Sequence, residues 1–131
     1  MLDNPRRPGN AASVTSAEAL TYLSTLQPFG YKPGLESTRA LAALVGNPHG
    51  SLQFIHVAGT NGKGSTCAML DAIYRASGLR VGLYTSPHLV RFNERIRVQG
   101  ESIPDDALAR IVERVRDAAA QAMPMVEPTF F

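Results

Sequence analysis

The sequence predicts an α/β fold in which a parallel sheet is flanked by helices. Three observations carry that prediction. Residues 53–58 are an apolar run leading into a glycine-rich turn with one lysine, Gly59-Thr-Asn-Gly-Lys-Gly-Ser65. A helical pattern follows, carrying Met69, Leu70, Ile73 and Tyr74 and ending at Gly78. A second strand is expected over Arg80–Thr85. Strand, helix and strand over roughly thirty residues make a right-handed βαβ unit with parallel strands. The mostly apolar run at 53–58 predicts burial on both faces, and His56 within it reads as a core histidine in preference to a ligand.

The other elements follow in order. Residues 1–14 read as a flexible leader, and residues 15–131 as part of one domain. Thr15 and Glu18 have capping-box spacing, and Leu20, Leu23 and Leu26 share the face of the helix behind them. Pro28 stops it, and residues 29–34 form a loop. A second helix is expected over Leu35–Val45, with Leu41, Leu44 and Val45 inward and Gly46-Asn47-Pro48 as its stop. Residues 86–94 form a loop. Residues 95–98 then alternate, with Ile96 and Val98 on one face, and Gln99-Gly100 turns them into a hairpin with residues 101–103. Pro104-Asp105-Asp106 opens the last helix, where acidic residues suit the positive end of the dipole. Leu108, Ile111, Val112 and Val115 recur at helical spacing, and Pro124 ends the pattern. Met123 and Met125 read as gap fillers, and Cys67 as a small core residue.

Composition excludes several classes. A chain of 131 residues is one domain by length, and its 44% apolar fraction is ordinary for a globular protein. Thirteen basic against eleven acidic residues give a net charge of +2, no footprint for nucleic acid despite an isoelectric point near 9.0. A single cysteine excludes an internal disulfide and fits a reducing compartment. The sequence shows no secretory h-region and no apolar run of membrane-spanning length. A soluble, cytoplasmic protein is the expectation.

The turn at 59–65 carries the chemistry. Backbone N–H groups, a helix N-terminus and a lysine together cradle a phosphate. Gly59, Gly62 and Gly64 have no Cβ, so the backbone can lie close to phosphate oxygens. Thr60 and Asn61 shape the loop. Ser65 and Thr66 place hydroxyls at the phosphate and at a bound Mg²⁺, a role compatible with helix capping. Lys63 is the foremost catalytic candidate, offsetting charge on the phosphates of ATP. The loop departs from G-x-x-x-x-G-K-[ST]: two residues separate Gly59 from Gly62, and Gly64 intervenes between Lys63 and Ser65. A shorter, tighter loop is implied.

This loop resembles that of the Mur-ligase superfamily. With Gly64-Ser65 it is similar to the folate branch, the folylpolyglutamate synthases and bifunctional dihydrofolate synthases. Tyr84-Thr-Ser-Pro-His-Leu-Val-Arg-Phe-Asn-Glu-Arg-Ile96 resembles that branch's loop after the second strand. The resemblance runs from about Thr15 to the last residue. It implies an ATP- and Mg²⁺-dependent ligase joining L-glutamate to a folate or to dihydropteroate through an acyl phosphate. By resemblance, Ser86 is a second Mg²⁺ contact, and Ser86, Pro87, His88, Arg91 and Phe92 border the folate. Gly34 and Leu35, with Thr129 and Phe131, match positions that line the pterin pocket. For Phe131 an ordinary core aromatic is the competing reading. Arg39 departs from the family's register after Gly34-Leu35-Glu36.

The family has longer chains, with a completed sheet and a glutamate-binding domain, and a monomer is the expectation for the full-length protein. The chain therefore reads as an N-terminal portion lacking the downstream acidic and imidazole metal ligands, without turnover of its own. Two alternatives remain: a ligase of peptidoglycan precursors, and a nucleotide-binding module whose hydrolysis drives a switch.

Overall fold

The structure, a computed structural model, describes residues 14–26, 34–122 and 128. The leader before Val14, the Pro28 stop, most of the 29–34 loop, Met123, Pro124, Met125, Thr129 and Phe131 lie outside the described residues. The elements are α1 (Ser16–Thr25), α2 (Glu36–Leu44), a 3₁₀ turn (Pro48–Ser51), α3 (Lys63–Ala76), β1 (Gly82–Tyr84), a second 3₁₀ turn (Phe92–Arg95), β2 (Ile96–Val98), β3 (Glu101–Ser102) and α4 (Asp105–Gln121). The α/β class stands. Among the described residues no helix is long and apolar enough to cross a membrane.

Local signals are realised where expected. Thr15 Oγ1 accepts from Glu18 N at 3.3 Å, and Glu18 Oε2 accepts from Thr15 N at 2.7 Å, closing the capping box of α1. Both α2 and α3 end in the same motif. Gly46 N–H donates to Ala43 O and Asn47 N–H to Ala42 O, while Gly78 N–H donates to Arg75 O and Leu79 N–H to Tyr74 O. Paired bonds of this kind satisfy carbonyls left over at a helix end. The hairpin turns at Gln99 (φ 54°) and Gly100 (φ 86°), two positive φ angles that match the twist of the flanking strands.

Among the described residues the parallel pairing is not formed. The sheet has the order β1-β2-β3 and is antiparallel throughout, with Leu83 opposite Arg97 and Val98 opposite Glu101. Residues 52–58 join no ladder among the described residues, and Phe54 is 70% exposed. Ile55 and His56 are exposed too, so His56 is not the core residue its neighbours suggested. A strand buried on both faces needs covering layers and hydrogen-bonded neighbours on each side. β1 instead pairs with the strand that returns next in sequence, which closes a shorter loop.

The core sits between α1 and α4. Ala19, Leu108, Ala109 and Val112 are buried together, and Val14, Tyr22, Leu23, Phe92 and Ile103 pack against them. The inward face of α1 is therefore Ala19, Tyr22 and Leu23, and Leu20 faces solvent. Along α4 it is Leu108, Ala109 and Val112, and Ile111 is 50% exposed. Leu44 is likewise exposed, while Leu41 and Val45 are half-buried. Arg114 Nη2 donates to Val45 O at 2.7 Å, tying α4 to the end of α2. On α3 only Asp71 is buried; Met69 and Ile73 are exposed and Cys67 is half-buried. Asp71 pairs with Arg75 at 2.9 Å, and the Arg75 guanidinium lies where a Cβ on Gly100 would stand. That contact ties α3 to the hairpin turn.

The packing separates two residues that helical spacing treats alike. Leu108→Ala should lose about 2–5 kcal/mol of stability. Ile111→Ala should lose less than about 1 kcal/mol. Urea unfolding followed by circular dichroism measures both, and equal losses would contradict this core.

Candidate functional site

The phosphate loop begins α3. Gly62 is its N-cap in the left-handed region, at φ 75°, a conformation costly for most side chains. Its carbonyl accepts from Thr66 N–H at 2.9 Å, so the helix starts there, and no side chain caps it. The first-turn N–H groups thus keep their capacity for an outside acceptor, on a dipole end that favours anions. Lys63 Nζ donates to Gly59 O and, at 2.9 Å, to Thr60 O. The ammonium is thus folded back onto the carbonyls of its own loop. Gly59, Thr60, Asn61, Gly62, Lys63, Gly64, Ser65 and Thr66 are all exposed.

The second block leaves from β1. Thr85 N–H donates to Arg95 O at 2.9 Å and closes the base of a loop over residues 86–94, whose Ser86–Pro87 peptide is cis. Glu94 organises the interior. Its carboxylate accepts from Leu89 N at 2.8 Å, Val90 N at 3.1 Å and Arg91 N at 2.8 Å. These bonds, Leu89 first, lower the Glu94 pKa against the opposing effect of desolvation. They leave Leu89 91% exposed at the tip, with Val90 beside it.

The predicted loop residues fare differently. Ser86 and Pro87 are exposed and His88 is half-buried. Arg91 donates from Nη2 to Asp105 Oδ1 at 2.7 Å, and Asn93 Nδ2 reaches the same oxygen at 3.0 Å. Phe92 packs against the α1–α4 core. His88, Arg91 and Phe92 also line a cleft of about 310 Å³ against Leu20, Leu23 and Ser24 of α1. Gly34 and Leu35 lie exposed at the start of α2.

By resemblance the sequence places Asn93, Glu94 and Arg95 in a block that borders the folate and organises the metal site, but it assigns none of them an individual contact, and Asp105 was read only as a helix opener. The signal for Glu94 was present, since it stands three residues after Arg91, the spacing at which a carboxylate reaches back to a helix-start N–H. Among the described residues no group of three or more His, Cys, Asp or Glu stands close enough to hold a metal ion.

No family model matches the chain. Over 115 residues it is 47% identical to a probable bifunctional folylpolyglutamate synthase/dihydropteroate synthase of Haloferax volcanii, a match that takes in 87% of this chain and 14% of that protein. The folylpolyglutamate synthetase of Lactobacillus casei superimposes with a TM-score of 0.82 at 38% identity, over 89% of this chain and 30% of that one. The chain is homologous to a part of the folylpolyglutamate and dihydrofolate synthases. A bifunctional member from Yersinia pestis, complexed with AMPPNP and a Mn ion, gives 0.79 at 34% identity, over 94% of this chain and 29% of that one. A folylpolyglutamate synthase complex with AMPPCP and folate gives 0.79 at 38% identity, over 89% and 29%. The chain thus spans less than a third of the synthases it matches, and its fold is a portion of the Mur-ligase type.

Glu94 supplies a pH test. Its folded pKa is depressed, so the order it gives the loop is complete above the ordinary glutamate value and is lost as pH falls through the folded one. The Leu89 and Arg91 amide resonances should titrate together with a midpoint below about 4.3. A midpoint at or above that value would contradict the bonding.

Proposed function

We propose that the protein binds ATP through residues 59–66 and belongs to a ligase that joins L-glutamate to a folate, or to dihydropteroate. The observation that carries this reading is the uncapped, glycine-led start of α3 with Lys63 folded beside it. A phosphate arriving there would take N–H donors that no side chain occupies. Lys63 would exchange two neutral carbonyl acceptors for anionic oxygens, adding charge–charge attraction to bonds whose donor is already ionised. The nucleotide and folate complexes of the related synthases support the same assignment.

The reaction follows from the chemistry of amide formation. A carboxylate oxygen of the folate attacks the γ-phosphorus of ATP and ADP leaves, giving an acyl phosphate. The glutamate amine then attacks the acyl carbon, expelling phosphate and losing its proton. Lys63 and the loop N–H groups spread the charge of the transferring group and hold it in line. The hydroxyls of Ser65 and Ser86 suit a divalent cation, which takes most of its ligands from phosphate and water. Such a cation adds charge neutralisation at the phosphates. The chain spans less than a third of the related synthases, and we expect no turnover by its 131 residues alone. The loop of His88, Arg91 and Phe92 borders the folate in this reading, with Gly34, Leu35, Thr129 and Phe131 toward the pterin. The protein works as a monomer in the cytoplasm, without nucleic-acid or membrane partners.

Calorimetry tests the phosphate loop. Lys63→Ala should bind Mg·ATP roughly ten- to hundredfold more weakly, the cost of losing a charged hydrogen-bond donor. Its circular dichroism spectrum should match the parent's. Equal affinity in parent and variant would remove Lys63 from the site. Glutamate-dependent ADP release by the purified chain would refute the expected inactivity, and glutamate-independent hydrolysis would point to a switch instead of a ligase.

A further inference from the structure

Arg95 is 6% exposed, and a guanidinium is rarely taken from water unless its donors are engaged. Its Nε–H donates to His88 Nδ1 at 2.9 Å. Its Cζ lies 5.2 Å from the centroid of the Phe92 ring, within cation–π reach. The His88 and Phe92 rings stand 5.7 Å apart, tilted by 54°. Three side chains of the second block therefore form one packed unit. Two of them, His88 and Phe92, line the cleft against α1, while Arg95 is not among its lining residues.

Arginine has donors and no acceptor. A ring nitrogen that accepts from it carries no hydrogen, so neutral His88 holds its hydrogen on Nε2. We infer that Arg95 is a positioning residue. It fixes His88 as an Nε2–H donor and seats the Phe92 ring beside it, so the cleft selects a ligand that offers a hydrogen-bond acceptor next to a flat apolar body. The apolar part faces Leu20, Leu23, Val90 and Phe92. The ligand's identity rests on the folate reading of this loop, while the Arg95–His88–Phe92 geometry stands without it. Lysine is no substitute here, because it lacks the planar Nε–H that meets the ring edge.

Nitrogen-15 NMR of the imidazole rings tests this on the 131-residue chain, with His88→Gln to identify the His88 signal among the three histidines. The parent should show the Nε2–H tautomer alone. Arg95→Lys should show both tautomers and a weakened His88–Phe92 ring contact. Folic acid titrated into the parent should shift the His88 Nε2 signal. Its affinity should fall roughly tenfold in Arg95→Lys, the scale of one hydrogen bond. Mg·ATP affinity should stay unchanged. An Nδ1–H tautomer in the parent overturns the inference even if Arg95→Lys fails to fold. So does an unchanged tautomer in a folded Arg95→Lys, or equal folic acid affinity despite a changed one. A parent with the Nε2–H tautomer that binds no folic acid supports the Arg95 assignment and sinks the folate reading of the loop.

Discussion

The antiparallel pairing of β1 with β2 is the constraint on which the other parts depend. It joins a strand fed by α3 to a strand that leads through the hairpin to α4. Everything between Thr85 and Arg95 is thereby forced out as a closed loop. The ladder extends past the strand ends, because Gln99 N–H donates to Val81 O and Val81 N–H donates to the Gln99 side chain at 2.6 Å. A one-residue slip would reverse which side chains face α3. The phosphate helix and the second block are thus placed relative to each other by a short, doubly anchored ladder, with no direct bond needed between them.

Within that loop, charge replaces a hydrophobic interior. Glu94 takes three backbone N–H groups, Asp105 gathers Arg91 and Asn93, and Arg95 reaches His88. A loop cannot leave its backbone donors unpaired without a free-energy cost, and a carboxylate is an acceptor with room for several. The consequence is a loop shaped by its own side chains whose apolar tip, Leu89 and Val90, stays outside. The ion pairs on the surface add little to stability. What they contribute is geometry, because each holds one donor in one direction.

Much of this was legible in the sequence, and the legible part was local. The Thr15–Glu18 box, the two glycine-ended helices, the Gln99–Gly100 turn and the lysine-bearing loop at the head of α3 are each decided within a few residues. The failures are non-local. Ile111 and Leu20 sit at helical spacing with buried residues yet face solvent, because the small Ala109 and Ala19 are what let α4 and α1 approach closely. Residues 53–58 read as a buried strand because composition reports what a segment would bury. It does not report which strand would lie beside it. His56 failed for the same reason. The Arg95–His88 bond spans seven residues and a folded loop, and no periodicity encodes it.

The two halves of the proposed site differ in how finished they are. The phosphate loop holds its lysine on its own carbonyls, an arrangement that an anion can displace because the bonds given up are to neutral acceptors and the bonds gained are to charged ones. Most of that rearrangement is rotation of one flexible side chain about an already formed helix end. The second block has no such slack. His88 and Phe92 are held by a buried guanidinium, and Glu94 ties the backbone that carries Leu89, Val90 and Arg91. In the proposed reading, a site that pairs an adaptable cation with a pre-shaped wall spends little ordering entropy on the wall, so discrimination between ligands would fall to it. There the lysine would answer to charge, which every nucleoside triphosphate carries alike.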